Sequence, residues 1–238
     1  MPNRIDAPGT AEAAWRAWPA LRLIPVADSA SWTSAVVVAA HPDDEILGAG
    51  GTMALLARAG ARLRLVAVTD GEASHPGTED PAELAGRRIA ESAAALKILG
   101  ADSVEVVRLR LPDTGVADRE DDLAGMLGRL CAGFDVCLAP WEDDAHADHE
   151  AAGRAARRAS GHVLRYPVWM WHWAVPGDER VPWDRCRQIP LPPDIVAGKH
   201  AAIRAFTSQL TARGPSGPPM LPADTVAHFT RSQEVFFW

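Results

Sequence analysis

At 238 residues, with 47% of them apolar and a formal net charge of −7, the chain has the size and composition of one globular domain with a substantial core. The acidic balance, with no lysine-rich or arginine-rich run, excludes a nucleic-acid or anionic-membrane surface built on basic residues. No apolar stretch is long enough to span a bilayer.

In chain order, residues 1–33 read as an N-terminal extension with a short helical piece over 11–17. Arg4, Asp6, Glu12, Arg16, Arg22 and Asp28 break any apolar segment a signal peptide would need, so a cytoplasmic protein is expected. Strands and helices then alternate. A β-branched apolar run over 34–40 is a buried strand, 50–59 a helix and 62–69 a second strand; 82–99 is a long helix ended by Gly100. Strands over 104–109, 135–139 and 163–169 are interleaved with helices over 121–131 and from about 148 to 160. Beyond Trp173 the pattern weakens to a strand over 185–189, a helix over 194–210 and a Gly/Pro-rich loop over 214–222, which reads as a lid or a surface connection. The rhythm is that of a parallel sheet covered by helices on both faces. Residues 34–170 form this α/β core and 171–238 a less regular, substrate-side extension of the same unit. Cys131, Cys137 and Cys186 are odd in number and lack ligand spacing, so they fit reduced, buried thiols.

Two clusters carry the chemistry. The first strand empties into His41-Pro42-Asp43-Asp44-Glu45, one imidazole and three carboxylates at the mouth of a buried strand. Crowding like charges is costly unless a positive partner joins them, and a divalent cation held by His41 and one aspartate serves. The second cluster, Trp141 through His149, follows another strand at a helix start. His146 and His149 stand three apart and share a helix face, with Asp148 beside them. Two histidines and a carboxylate are a common zinc set that leaves a position for water; the bland reading is an acidic helix start that favours the dipole. In parallel sheets, ligands bind outside the carboxyl ends of the strands, where both clusters fall.

The pairing of Ala40-His41-Pro42-Asp43-Asp44-Glu45 with His146-Ala147-Asp148-His149 resembles the PIG-L/LmbE family of zinc-dependent de-N-acetylases. The likeness runs from about Val36 to Gly161, with Thr69-Asp70-Gly71-Glu72 and Arg88-x-x-Glu91 as further points of contact. It implies a Rossmann-like three-layer sandwich with a mostly parallel sheet, and zinc as cofactor, although ferrous iron suits the same donors. By the resemblance the metal ligands are His41, Asp44 and His149, and Asp43 is the general base for a zinc-activated water. A protonated His146 would meet the oxyanion, and Asp148 would keep it charged and oriented. Adjacent Asp43 and Asp44 cannot easily share one ion, which agrees with that division.

The implied reaction removes an acetyl or other acyl group from the nitrogen of an N-acylated amino sugar or glycosylated metabolite. A thiol-sugar conjugate amidase is the close variant, and a zinc phosphoesterase is disfavoured because no arginine or lysine adjoins the metal motifs. Arg88 is expected to anchor substrate, set against a plain ion pair with Glu91, and Asp70 to bind a substrate hydroxyl or cap a turn. Gly48, Gly50 and Gly51 suggest dinucleotide binding, but Met53 holds the third glycine position; they read instead as close helix packing. Trp169, Trp171 and Trp173 alternate with Met170 and His172 as a strand end would, with His172 a further site candidate. A small-molecule partner is expected, with a homo-oligomer left open.

Overall fold

The computed structural model of the chain describes residues 4–5, 7–212 and 217–238. Its centre is β1 (Ser34–Ala39), every residue of which is buried. Successive side chains of a strand point to opposite faces, so Ala35, Val37 and Ala39 join one apolar cluster and Val36, Val38 and Ala40 the other. A strand covered on both sides has no face left for polar residues, and its apolar run is therefore continuous.

The other strands are β2 (Arg62–Ala67), β3 (Glu105–Arg108), β4 (Val136–Pro140), β5 (Val163–Tyr166), β6 (Cys186–Pro190) and β7 (Gln233–Phe237), in the spatial order β3-β2-β1-β4-β5-β7-β6. The first five are parallel; β7 is antiparallel to both neighbours. The stretch expected as a C-terminal extension thus adds two strands to the same sheet. The strand order reverses between β1 and β4, and the crevice that opens there is where doubly wound sheets bind ligands.

Nine helices pack around the sheet among the described residues: α1 (Glu12–Ala17), α2 (Asp44–Arg58), α3 (Pro81–Ile98), α4 (Glu120–Cys131), α5 (Ala147–Ala159), α6 (Met170–Trp173), α7 (Pro193–Ile203), α8 (Thr207–Leu210) and α9 (Ala223–Ala227). The long third helix starts as its sequence dictates: Asp80 accepts hydrogen bonds from the N–H groups of Ala82 and Glu83, and Pro81 takes the first turn.

Three expectations need correction. First, α2 begins at Asp44 rather than at 50, so Gly48 and Gly51 lie inside it. A side chain at Gly48 would collide with the Tyr166 ring, which makes that glycine a condition of seating the helix on β5. Second, the expected helix over 194–210 breaks at 204–206. The Glu91 carboxylate accepts bonds from Thr207 Oγ1 (2.8 Å), Ser208 N (2.8 Å) and Ser208 Oγ (2.6 Å), and so starts α8 anew. Glu91 therefore has no ion pair with Arg88. Third, the strand expected to reach Trp169 stops at Tyr166, and 170–173 is helical, which removes the supposed alternation of tryptophans. The part of the 214–222 loop at 214–216 lies outside the described residues.

The N-terminal extension packs on the C-terminal one. Trp15 is fully buried and donates its indole N–H to the Trp171 carbonyl at 2.9 Å. Glu12 accepts from Arg231 (2.9 and 2.6 Å) and pairs with His228 (2.9 Å). Burial pushes the Glu12 carboxyl up, but the His228 and Arg231 hydrogen bonds outweigh it and hold the pKa at about 2. A depressed folded-state pKa stabilises above the ordinary value and is lost on acidification. The clamp is expected to be fully effective above pH 4.5 and to weaken as pH falls toward 2. Comparing the acid-unfolding profile with that of Glu12→Gln checks this, since the variant should lose part of that pH dependence.

Candidate metal centre and cavity

The loops after β1, β2, β3 and β4 converge on a cavity of about 290 Å³. At its floor three donor residues, His41, Asp44 and His149, stand in a triangle. His41 Nδ1 is 3.3 Å from His149 Nε2 and 3.5 Å from Asp44 Oδ2, and His149 Nε2 is 3.2 Å from Asp44 Oδ1. Tetrahedral zinc with bonds near 2.0–2.1 Å spaces its ligand atoms about 3.3–3.4 Å apart. The His41–His149 edge matches that spacing, and each of the two nitrogens lies at a similar distance from one oxygen of the Asp44 carboxylate, Oδ2 for His41 and Oδ1 for His149. His146 closes over them, its ring 4.8 Å from His41 and 4.7 Å from His149 between centroids.

The other ring nitrogen of His41 and of His149 is tied. His149 Nδ1 lies 2.8 Å from Asp144 Oδ2, and His41 Nε2 is 3.2 Å from both Asp113 Oδ1 and Asp148 Oδ2. Such partners fix the tautomer and leave the lone pair of the other nitrogen facing the triangle, as a metal site would require. Two groups of three have donor atoms close enough to hold a metal, His41 with His146 and His149, and His41 with Asp113 and Asp148. Those carboxylates, however, already accept from the N–H groups of Ala73 (2.8 Å), Thr114 (2.7 Å) and Val116 (3.1 Å), which suits an orienting shell. Burial pushes the Asp113 carboxyl up and the His41 hydrogen bond overcomes it, leaving about 2. For His149, burial pulls the pKa down and Asp44 and Asp144 raise it to about 9.

Asp43 sits at φ 129° and ψ −31°, a conformation that side-chain-bearing residues rarely adopt and that costs about 1–3 kcal/mol. Its carboxylate is 3.2 Å from the Arg88 guanidinium. Burial drives its pKa up, Arg88 opposes, and Asp44 and Glu45 add repulsion, leaving about 7. Arg88 is itself buried and also donates to the carbonyls of Pro42 (2.7 Å) and Gly71 (3.1 Å). Gly71 has φ +71°, and any Cβ there would strike that guanidinium. Arg88, expected as a substrate anchor, lines the cavity, braces Asp43 there and keeps its buried Nε without a partner.

Other expected site residues fall elsewhere. Asp70 is ion-paired with Arg108, with Arg110 at 4.0 Å, and does not line the cavity. His172 binds the Ala7 carbonyl at 2.8 Å on the N-terminal extension. The Asp148 carboxylate lies on His41, not on the His146 ring; only its backbone N–H reaches His146 Nδ1, at 3.3 Å. That bond makes Nδ1 an acceptor and puts the proton of a neutral His146 on Nε2. Burial, then the charges of His149 and His41, hold the His146 pKa at about 3.

Asp113, Thr114 and Asp144 were not given roles by the sequence. Asp144 is wholly buried and also accepts from the N–H groups of Val168 (3.0 Å), Trp169 (2.9 Å) and Met170 (2.9 Å). It starts α6 and holds His149 at once. Asp144→Asn is expected to weaken metal binding roughly 10–100-fold, measured by competition with a chromophoric chelator; unchanged affinity would exclude the positioning role.

The sequence pattern described as PIG-L: GlcNAc-PI de-N-acetylase matches residues 36–160. A 1D-myo-inositol 2-acetamido-2-deoxy-alpha-D-glucopyranoside deacetylase of Mycobacterium sp. (strain JLS) is 30% identical over 244 residues, covering 80% of this chain and 78% of the relative. The chain belongs to the PIG-L family. It is thereby an amidohydrolase of N-acetyl amides. A conserved protein from Thermus thermophilus superposes with a TM-score of 0.61 at 28% identity, over 86% of this chain and 93% of that one. The N,N'-diacetylchitobiose deacetylase of Pyrococcus horikoshii shares the fold, with a TM-score of 0.60 at 19% identity over 87% and 82% of the two chains. Against that PIG-L background the cluster of His41, His146 and His149, with Asp44 against two of the rings, is a candidate divalent-metal centre. No described helix is long and apolar enough to cross a membrane.

Proposed function

We propose that the protein is a zinc-dependent deacetylase that removes an acetyl group from the nitrogen of an amino sugar or a glycosylated metabolite. The donor triangle of His41, Asp44 and His149, with edges of 3.2–3.5 Å, carries this reading. These residues would hold the ion, and a zinc ion so held supplies Lewis acidity that acidifies a water and polarises the amide carbonyl.

The chain's own groups do the rest. Asp43 is next to a ligand yet outside the triangle, so its carboxylate is available to take the proton of the attacking water. Arg88 keeps that carboxylate in place through its contact with Asp43 and its two bonds to backbone carbonyls. His146, with its proton on Nε2, donates to the carbonyl oxygen as negative charge develops there. Asp148 acts one step removed, holding His41 through its carboxylate and the His146 tautomer through its N–H.

The test is release of free amine from a panel of N-acetyl amino sugars, thiol-sugar precursors and glycosylated natural products, with and without chelator, alongside metal analysis. About one zinc per chain and chelator-sensitive amine release are expected. Turnover that survives complete metal removal would overturn the reading.

A further inference from the structure

The cavity is chemically divided. Its floor is the charged cluster, while the wall drawn from α2, the turn after β5 and the segment before α9 is Leu47, Val168, Trp169, Met220 and Leu221. Outside the metal cluster, Arg88 and Asp113, the polar residues lining it among the described residues are Ser74, Thr114 and Gln209. Two of these are engaged within the protein. Ser74 Oγ bonds the Gly71 carbonyl (3.2 Å) and contacts His75 Nδ1 (2.9 Å), and Gln209 Nε2 donates to Ser208 Oγ (2.9 Å). Asp113 is likewise committed to His41 and to the Ala73 N–H, and Arg88 spends its terminal nitrogens on the Gly71 and Pro42 carbonyls and on Asp43, which leaves its buried Nε as the one guanidinium nitrogen without a partner.

A substrate rich in hydroxyl groups on its non-reacting side would enter this cavity with few partners for them, and unpaired buried polar groups are what sites of this kind reject. At about 290 Å³ the space is at the small end for ligand pockets. It suits one sugar-sized unit and one further group of ring or short-chain size.

Taking the deacetylase reading as its basis, we infer that the substrate is an N-acylated amino compound bearing a compact apolar substituent, received by Leu47, Val168, Trp169 and Leu221. The substituent is an aglycone on the amine side or an extended acyl chain, and the two are separable by experiment. Metal-reconstituted protein is assayed for kcat/KM on the methyl, phenyl and hexyl glycosides of N-acetylglucosamine and on N-hexanoylglucosamine against N-acetylglucosamine. Phenyl or hexyl glycosides favoured at least tenfold over methyl assign the wall to the aglycone, and the same preference for the hexanoyl amide assigns it to the acyl chain. In Leu221→Gln the preference should shrink toward unity.

Hydrolysis of the methyl glycoside and of N-acetylglucosamine at rates equal to or above those of their apolar counterparts would overturn the inference and leave the deacetylase reading intact. Calorimetry of phenyl and methyl β-glucosides, which carry no amide, supplies an arm independent of turnover. If no amide is cleaved the deacetylase reading falls. Tenfold tighter binding of the phenyl compound then still supports the apolar subsite, and equal binding overturns it.

Discussion

An Asp43→Asn protein is expected to keep its metal and lose turnover by roughly 10²–10⁴-fold, the usual contribution of a positioned general base. The substitution preserves size and keeps an oxygen for Arg88, but an amide cannot take a proton from water. Metal content measured beside the rate separates this from simple loss of the ion, since His41, Asp44 and His149 are untouched. Near-normal turnover would remove Asp43 from the role of base. A companion variant, Asp43→Gly, probes the φ of 129°. Glycine adopts positive φ freely, so relief of about 1–3 kcal/mol is set against the loss of the buried partner of Arg88. A variant as stable as the parent and without turnover would show that the strained backbone serves the carboxylate and not the fold.

Glu234→Ala should be the most destabilising single change away from the site. Glu234 is buried on β7 and accepts from Lys199 Nζ (2.6 Å), Gly51 N (2.7 Å), Thr52 N (2.8 Å) and Thr52 Oγ1 (2.6 Å). Lys199 is equally buried, and its other bond goes to the Leu47 carbonyl at 2.7 Å. Removing one member of such a pair strands the other charge, at about 3–5 kcal/mol. Denaturant unfolding measures it. The double variant Glu234→Ala with Lys199→Met should be less destabilised than Glu234→Ala alone, because no ammonium is then left without a partner. Equal destabilisation would mean that the bonds to Gly51 and Thr52, rather than the ion pair, dominate.

The core was legible because its signals are local. Continuous apolar runs gave β1 and β4, apolar residues interrupted by arginines gave β2 and β5, and the histidines and aspartates at 41–44 and 146–149 fall together because the sheet's switch point lies between β1 and β4. What the sequence left hidden depends on contacts across long separations. Asp144 is one of several acidic residues in its run, and only the fold brings it to Val168, Trp169 and Met170. Asp113 lies in a turn that gives no hint of His41. Glu91 and Arg88, one helical turn apart, looked like partners, yet each serves a different element, α8 and the loop after β1. The short run at 233–237 has five residues and no flanking turn signal, so β7 went unread although it sits inside the sheet.

The position of β7 also bears on how the protein is made. β6 leaves the ribosome before the strand that separates it from β5, so its hydrogen-bonding edge must wait for residues 233–237. Until then both β5 and β6 present open edges of the kind that recruit other chains. α2, which begins with Asp44, lacks the Glu234 carboxylate over the same interval. Nascent chains stalled before residue 233 should therefore be prone to aggregation, and a solubilising partner fused upstream would protect them during that interval better than one fused downstream, which is synthesised only after the danger has passed.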